Sequence, residues 1–194
     1  FGTILVANRG EIAIRICRAI HELGGKAVAI YSQEDAYAKH RRMGDAAFLL
    51  NPEGSGVSPV GAYLDIPRII QAAKEMGAQA IHPGYGFLSE NAKFAQACED
   101  NGIVFIGPTP KTISEFGSKT DARKMAIQAG LPVIPGSSAL ANLDEAIAFA
   151  EKVGFPLMVK ATMGGGGKGM RIVRDMPGLL TGVPSAVSEA LASF

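Results

Sequence analysis

Short apolar segments alternate with amphipathic helical segments along the first half of the chain, and this alternation most constrains its fold. A continuous apolar run at residues 3–8 (TILVAN) predicts a buried strand, residues 11–23 predict a helix, and Lys26–Tyr31 predicts a second strand. Helical spacing places four apolar side chains on one face of that helix: Ile12, Ile16, Ile20 and Leu23. Such a strand–helix–strand unit predicts parallel strands joined by a right-handed crossover.

The alternation continues to residue 107. Further strands are predicted at residues 46–50, 80–82 and 103–106, with helices at 66–76 and 91–101 and a loop at 51–59. This pattern predicts the α/β class with an open parallel, Rossmann-like sheet. Later elements are short helices at 111–116 and 121–129, a helix at Leu143–Val153, and strands at 155–162 and 169–174. We therefore expect two domains, at residues 1–110 and 111–194.

Composition excludes several classes of function. The chain of 194 residues is 47% hydrophobic and 19% charged, which is typical of a globular protein. A net charge of +1 gives no broad basic face for nucleic acid. No apolar run reaches the roughly 18 residues of a membrane span. Since no targeting segment is visible, we expect a cytoplasmic location, or a mitochondrial or plastid one if a transit peptide was removed.

The cysteines and histidines suggest no redox or metal chemistry. Cys17 and Cys98 each lie in an apolar stretch of a predicted helix, which predicts two buried, reduced thiols. His21, His40 and His82 are far apart and no pair has helical spacing. We therefore assign no residue of this chain to a metal.

A run of four glycines lies between the last two predicted strands, in the segment KATMGGGGKGM at residues 160–170. It fits GxGxxG, but a dinucleotide fingerprint requires a following helix, and GMRIVR alternates like a strand. A Walker A loop fails because Gly169 stands where serine or threonine should hold magnesium. The sequence favours a glycine hairpin that covers a polyphosphate, with Lys160 and Lys168 as cations. A surface hairpin without a ligand is the alternative.

Four segments carry a resemblance to a known family. They are ANRGEIAIR (7–15), IHPGYGFLSEN (81–91), FIGPTPKTISEFGSKTDAR (105–123) and FPLMVKATMGGGGKGM (155–170). They resemble, in order and spacing, the biotin carboxylase branch of the ATP-grasp superfamily. Within that branch, PVGAYLDI (59–66) is most similar to pyruvate carboxylases. The resemblance implies a pre-ATP-grasp domain followed by an incomplete ATP-grasp lobe.

The resemblance also implies the chemistry. Members of the family use ATP, Mg²⁺ and bicarbonate to carboxylate biotin, which a carboxyl carrier domain presents. ATP phosphorylates bicarbonate to carboxyphosphate in that family. The resemblance places the Mg²⁺ ligands outside this chain, so we expect the chain alone to be inactive. A homo-oligomer is expected for the full enzyme.

The resemblance implies six ATP-binding residues: Lys119, Met158, Lys160, Gly165, Gly166 and Gly167. The lysines would contact the phosphates, the glycines would form the lid, and Met158 would line the adenine pocket. Without the resemblance, Lys119 is an exposed lysine at a helix start and Met158 is a core residue.

The loop after the strand at residues 80–82 should lie at the carboxyl edge of the sheet, where open α/β folds bind ligands. By resemblance it borders the active site, with Tyr85 and Glu90 as catalytic candidates and Phe87 beside them. The alternative is a structural turn in which Ser89 caps the next helix.

Arg9 and Glu11 follow the first strand in the turn NRGEIA. A helix N-terminus there favours an anion. In this family, however, the first domain is not the main nucleotide site, so we expect a structural role for both residues or a subunit contact for the exposed arginine face.

The end of the chain departs from the family pattern. Residues 175–190 read DMPGLLTGVPSAVSEA, and Pro184 falls in the middle of a predicted helix. Proline inside a helix costs about 3 kcal/mol or more, so a break at Pro184 is expected.

Three alternatives to a pyruvate carboxylase segment stay open. One is the biotin carboxylase of an acyl-CoA carboxylase such as acetyl-CoA carboxylase. Another is a different ATP-grasp ligase, such as carbamoyl phosphate synthase, which the segments at 7–15 and 81–91 disfavour. The third is a non-catalytic nucleotide-binding fragment.

Overall fold

The computed structural model describes residues 1–160 and 170–193, without the side chains of Lys119, Thr120 and residues 190–193. The chain divides into two compact units, Phe1–Gly117 and Ser118–Phe194. The two units are described separately below.

A five-stranded parallel sheet forms the first unit, which confirms the predicted α/β class. Its strands are β1 (Thr3–Val6), β2 (Lys26–Tyr31), β3 (Ala46–Leu49), β4 (Ala80–His82) and β5 (Val104–Phe105). They lie in the order β3-β2-β1-β4-β5. All four pairings are parallel, and β1 is hydrogen-bonded to β2 on one side and β4 on the other.

Helices lie between and after these strands. They are α1 (Gly10–Glu22), α2 (Pro59–Leu64), α3 (Ile66–Glu75), α4 (Ala92–Asp100) and α5 (Pro110–Gly117), with two short 3-10 turns at Gln33–Asp35 and Lys39–Arg42. The side chain of Ile113 in α5 belongs to the core of the first unit, although the sequence placed this helix in the second domain. The boundary at residues 110/111 itself stays a prediction.

Successive strand residues point to opposite sides of the sheet, so apolar side chains emerge on both faces. Helices cover both of these faces. Leu5 packs into a core cluster with side chains from α3 and α4, whereas Val6 packs into a second cluster with α1. Cys17 and Cys98 are buried in these clusters, as predicted. Burial raises the thiol pKa to about 11 for Cys17 and about 12 for Cys98, so both stay protonated at neutral pH.

The second unit packs two helices against a hairpin. Its elements are α6 (Lys119–Gln128), α7 (Leu143–Val153), β6 (Leu157–Lys160), β7 (Met170–Val173) and α8 (Met176–Ser193). β6 and β7 are antiparallel. Their inward side chains meet Ala150 of α7 and Leu179 of α8 in one apolar cluster. None of the helices that the structure describes is long and apolar enough to cross a membrane.

One prediction about the first unit is wrong. Leu23 does not share the apolar face of α1; it is the C-cap residue and is 88% exposed, because α1 ends one residue earlier, at Glu22. The loop predicted at 51–59 is confirmed as far as Ser58, but the sequence missed the short helix α2 that begins at Pro59. The Ser58 hydroxyl caps that helix by accepting a hydrogen bond from the Gly61 amide at 3.1 Å.

The expected break at Pro184 is also wrong, since α8 runs through it. Leu179 before the proline is 2% exposed and Ala186 after it is 1% exposed. Arg171 of β7 forms an ion pair with Glu189 of α8 at 2.6 Å. Contacts on both sides of Pro184 therefore fix the helix and outweigh the cost of one missing backbone hydrogen bond.

Replacing Pro184 with alanine restores an N–H for the carbonyl of Leu180, four residues earlier. We expect the free energy of unfolding to rise by about 1–3 kcal/mol in urea titrations followed by far-UV circular dichroism. Val187→Ala, an exposed change in the same helix, is the control and should alter stability by less than about 1 kcal/mol. A gain no larger than the control's would contradict this account of α8.

Candidate functional site

The carboxyl edge of the sheet has a crevice where the strand order reverses. From β1 the chain moves outward to β2 and β3, then returns to β4 on the other side of β1. Open α/β sheets bind ligands at such a switch point. A cleft of about 330 Å³ lies here, lined by Asn8, Arg9, Gly10, Glu11, Ile12, Tyr85, Gly86 and Phe87.

Asn8 joins the two sides of this cleft. Its side chain is 3% exposed, and its Nδ2 donates to the carbonyl oxygens of Pro83 at 2.7 Å and Tyr85 at 2.8 Å. Its Oδ1 accepts a hydrogen bond from the Arg9 amide at 2.9 Å. One buried amide thus fixes both the turn after β1 and the loop after β4. Sequence reasoning did not single out Asn8, although a polar residue that ends a buried strand was a signal for it.

The loop after β4 requires glycine at position 84. Gly84 has φ +66°, and a Cβ there would lie 2.8 Å from Nδ2 of Asn8. Its amide donates to Nδ1 of His82 at 3.0 Å, and burial lowers the pKa of that histidine. The close approach of this backbone to Asn8 therefore depends on the missing side chain.

A hydrogen-bonded network lies on the β2 side of the cleft, with Asp35 and Tyr63 buried and the Arg9 side chain 46% exposed. Asp35 accepts hydrogen bonds from Nε of Arg9 at 2.6 Å, from Nη2 of Arg9 at 2.5 Å, and from the Tyr63 hydroxyl at 2.7 Å. The Tyr63 hydroxyl in turn accepts from the Ser32 amide at 3.1 Å. A second cleft of about 280 Å³ lies against this network and is also lined by Arg9 and Phe87.

The network shifts two pKa values in opposite directions. The hydrogen bonds from Arg9 hold the pKa of the Asp35 carboxyl below its ordinary value. Burial, reinforced by the hydrogen bond to Asp35, raises the pKa of Tyr63 well above its ordinary range. Arg9 therefore serves as a fixed counterion, which agrees with the structural role expected for it.

The structure places two of the three predicted loop residues in the cleft. Tyr85 is 59% exposed, and its hydroxyl donates to Oε1 of Glu11. Phe87 packs on the ring of Tyr63 with centroids 5.3 Å apart. Glu90 is exposed and is not among the residues that line either cleft.

The cap by Ser89, which belonged to the alternative interpretation of this loop, is wrong, because α4 begins later. Asn91 is its N-cap residue, and its Oδ1 accepts from the Phe94 amide at 3.0 Å. The amide of Ser89 instead donates to the Gly86 carbonyl at 2.9 Å, which closes a turn within the loop. The two residues thus have separate roles, one in the loop and one in the helix.

The second unit presents a different kind of surface. In β6, Leu157 and Val159 face the apolar cluster, whereas Met158 and Lys160 are exposed. The register pairs Met158 with Ile172 and Lys160 with Met170. The three apolar members of this outer face are 41–61% exposed: Met158, Met170 and Ile172. Met158 is therefore not a core residue, which removes the alternative that the sequence left open.

The hairpin bears on the interpretation of the glycine run. As the sequence predicted, the element after the glycine run is a strand, β7. A dinucleotide fingerprint requires a helix at this position, so this segment does not have its geometry. Residues 161–169 lie outside the described residues, so the assignments for Gly165, Gly166, Gly167 and Lys168 stay predictions. The side chain of Lys119 is likewise outside them, and its backbone begins α6 after the N-cap Ser118.

The contact between Gly84 and Asn8 can be tested with a matched pair of glycines. Gly84 and Gly86 have φ values of +66° and +64°, but a Cβ at Gly86 meets open space. Both changes to alanine carry the cost of a left-handed backbone, about 1 kcal/mol, and only Gly84→Ala adds a clash. We expect Gly84→Ala to lower the free energy of unfolding by at least about 1 kcal/mol more than Gly86→Ala. Equal losses in urea titrations would contradict the packing described here.

The lowered pKa of Asp35 predicts that the stability of the fold depends on pH. Because its pKa is lowered in the fold, its contribution is complete above its unfolded value, near pH 4, and is lost as the pH falls further. Asp35→Asn should lower the free energy of unfolding by about 1–3 kcal/mol at pH 7. The variant should also lose less stability than the unmodified protein as the pH falls below about 4. Asp100→Asn, at an exposed carboxylate in α4, is the control. An unchanged acid profile in Asp35→Asn would exclude this role.

Both halves of the chain match known protein families. Residues 1–113 match the family described as biotin carboxylase, N-terminal domain, and residues 118–194 match carbamoyl-phosphate synthase L chain, ATP binding domain. Mitochondrial pyruvate carboxylase of Mus musculus is 53% identical over 192 residues, which cover 98% of this chain and 16% of that protein. Pyruvate carboxylase of Bacillus subtilis is 52% identical over the same length and coverage.

Solved structures give the same result. Biotin carboxylase of Campylobacter jejuni, as a beta-gamma-ATP complex, has a TM-score of 0.88 at 43% identity, over 100% of this chain and 43% of that one. The biotin carboxylase domain dimer of Hydrogenobacter thermophilus 2-oxoglutarate carboxylase, with MgADP, ADP and bicarbonate, has a TM-score of 0.87 at 45% identity, over 100% and 42%.

The chain thus spans about one sixth of the length of the pyruvate carboxylases that it matches. Its first 113 residues match the family over more than half of the chain, and the parallel sheet and the loop after β4 lie within them. The chain therefore belongs to the biotin carboxylase family.

Proposed function

We propose that this chain is the N-terminal part of the biotin carboxylase component of a pyruvate carboxylase, an ATP-dependent ligase that carboxylates biotin with bicarbonate. The observation that carries the proposal is the β6–β7 hairpin. It exposes Lys160 at the end of an otherwise apolar face, four residues before the glycine run begins in the sequence. A cation beside an apolar surface suits a nucleotide, which has an anionic tail and a flat apolar base.

The proposed ATP-binding residues follow from that face and from the family. Lys160 would contact the phosphates, and Met158, two residues earlier on the same face, would contact the adenine. Lys119 is proposed as a second phosphate contact, and Gly165, Gly166 and Gly167 as the lid, since amides without side chains allow close approach to phosphate oxygens. When bound, ATP with its Mg²⁺ supplies the phosphoryl group that activates bicarbonate.

Tyr85 and Glu90 are proposed to act at the carboxylation step from the loop after β4. The exposed Tyr85 ring lines the cleft at the switch point, and this position supports its assignment. Glu90 rests on the family resemblance alone. Among the described residues, no three His, Cys, Asp or Glu side chains are grouped so as to hold a metal ion, and we assign none of them to Mg²⁺.

The proposed partners are bicarbonate, a biotin carboxyl carrier domain and further copies of the enzyme. The Hydrogenobacter thermophilus relative is named as a dimer with bicarbonate, which supports two of these. We propose pyruvate as the final acceptor because the matched relatives are pyruvate carboxylases. For the compartment we propose the cytoplasm, or the mitochondrion where the full protein resembles the mouse enzyme.

A carbamoyl phosphate synthase is the rival that the family match of residues 118–194 raises. The match of residues 1–113 favours the biotin branch, because it covers the segments ANRGEIAIR and IHPGYGFLSEN.

The test is ATP-dependent transfer of labelled bicarbonate to free biotin by the full-length protein. In Lys160→Ala, loss of a charge-assisted contact with phosphate should raise KM for ATP and lower kcat, reducing kcat/KM for ATP by about 10- to 100-fold. Lys152→Ala, at an exposed lysine in α7, is the control and should leave both constants unchanged.

Two outcomes would contradict the proposal. Unchanged kinetics in Lys160→Ala would remove that lysine from the mechanism. Absence of labelled carboxybiotin in the unmodified full-length protein would refute the function itself. Supplying pyruvate or acetyl-CoA as the acceptor in the same assay separates a pyruvate carboxylase from an acyl-CoA carboxylase.

A further inference from the structure

We propose that Asn8 and Glu11 are positioning residues that hold Tyr85 in place from its two ends, the backbone and the phenol hydroxyl. The inference rests on the proposed function, in which Tyr85 acts at the carboxylation step. The inference gives a role to the segment ANRGE, which contains none of the proposed ATP-binding residues.

Asn8 fixes the backbone end of Tyr85. Both hydrogens of its Nδ2 are donated to the loop, to the carbonyls of Pro83 and Tyr85 at 2.7 and 2.8 Å. Its Oδ1 is occupied by the Arg9 amide at 2.9 Å, so the orientation of the amide is determined. Loss of this side chain would leave two loop carbonyls without their donor.

Glu11 fixes the other end of Tyr85. The Tyr85 hydroxyl donates to its Oε1, across the cleft at the switch point. Tyr85 is 59% exposed, so core packing does little to restrict its ring. A hydrogen bond at the hydroxyl then selects one orientation among those that the backbone allows.

The remainder of the loop is held separately. Phe87, two residues after Tyr85, has φ +39° and packs on Tyr63, whose hydroxyl donates to Asp35. Asp35 is in turn bound by Arg9, the neighbour of Asn8. The loop is therefore anchored on both sides of Tyr85, and Asn8 and Glu11 form hydrogen bonds with Tyr85 itself.

The test uses the full-length protein and carboxylation of free biotin. Asn8→Ala and Glu11→Ala should each lower kcat/KM for biotin by about tenfold, since small misplacements of a reacting group are costly, and leave KM for ATP within about twofold. Glu11→Gln keeps an oxygen acceptor and should recover most of the loss. The control is Asn51→Ala, because Asn51 is 4% exposed and also bridges two loops, by bonds to Gln33 and Val57.

A double-mutant cycle separates positioning from general destabilisation. If Glu11 acts through the Tyr85 hydroxyl, Glu11→Ala combined with Tyr85→Phe should be no slower than Tyr85→Phe alone. Additive losses, or an equal loss in Asn51→Ala, would overturn the inference.

Hydrogen exchange tests the same contacts independently of activity. Asn8→Ala should speed exchange at the Gly84 and Ser89 amides, which are hydrogen-bonded within the loop, while Asn51→Ala should not. Unchanged exchange would overturn the role of Asn8 even in an active enzyme. If Asn8→Ala speeds exchange but the unmodified full-length protein does not carboxylate biotin, the contact of Asn8 with the loop is supported. The proposed function is then refuted instead.

Discussion

The parallel pairing of β1 with β2 on one side and with β4 on the other is the constraint on which the first unit depends. It brings the residues that follow three strands to one edge, although they are far apart in sequence. Asn8 then reaches the loop after β4, and Arg9 reaches Asp35 after β2. The cleft beside Tyr85 is a consequence of strand order, because chain segments leave the sheet in opposite directions at this point.

Apolar periodicity predicted most of the elements. Lys26–Tyr31 and Leu143–Val153 have the predicted bounds, and the alternation in GMRIVR identified β7. What periodicity missed depends on contacts between distant residues. The two hydrogen bonds that Asn8 donates each span more than 70 residues of sequence. Pro184 stays helical because the helix is held on both sides of it, by the buried Leu179 and Ala186 and by the ion pair of Glu189 with Arg171 of β7. Local preference describes neither effect.

The candidate site was predictable to different degrees. The pattern of residues 155–174 indicated that Lys160 lies on a hairpin, and the structure adds that Met158 shares its exposed face. For the loop after β4, the glycines indicated a sharp turn, but a pattern cannot show what a glycine contacts. Only coordinates show that Gly84 makes room for Asn8. The two units thus present different surfaces: the first exposes the phenol of Tyr85 in its cleft, and the second exposes Lys160 at the end of an apolar face.

The most direct measurement is a crystal structure of the full-length protein with Mg²⁺ and a non-hydrolysable ATP analogue. Our account predicts that Nζ of Lys160 lies about 3 Å from a phosphate oxygen, with the adenine against Met158. Phosphates bound instead at the turn after β1, beside Arg9 and the first residues of α1, would contradict it.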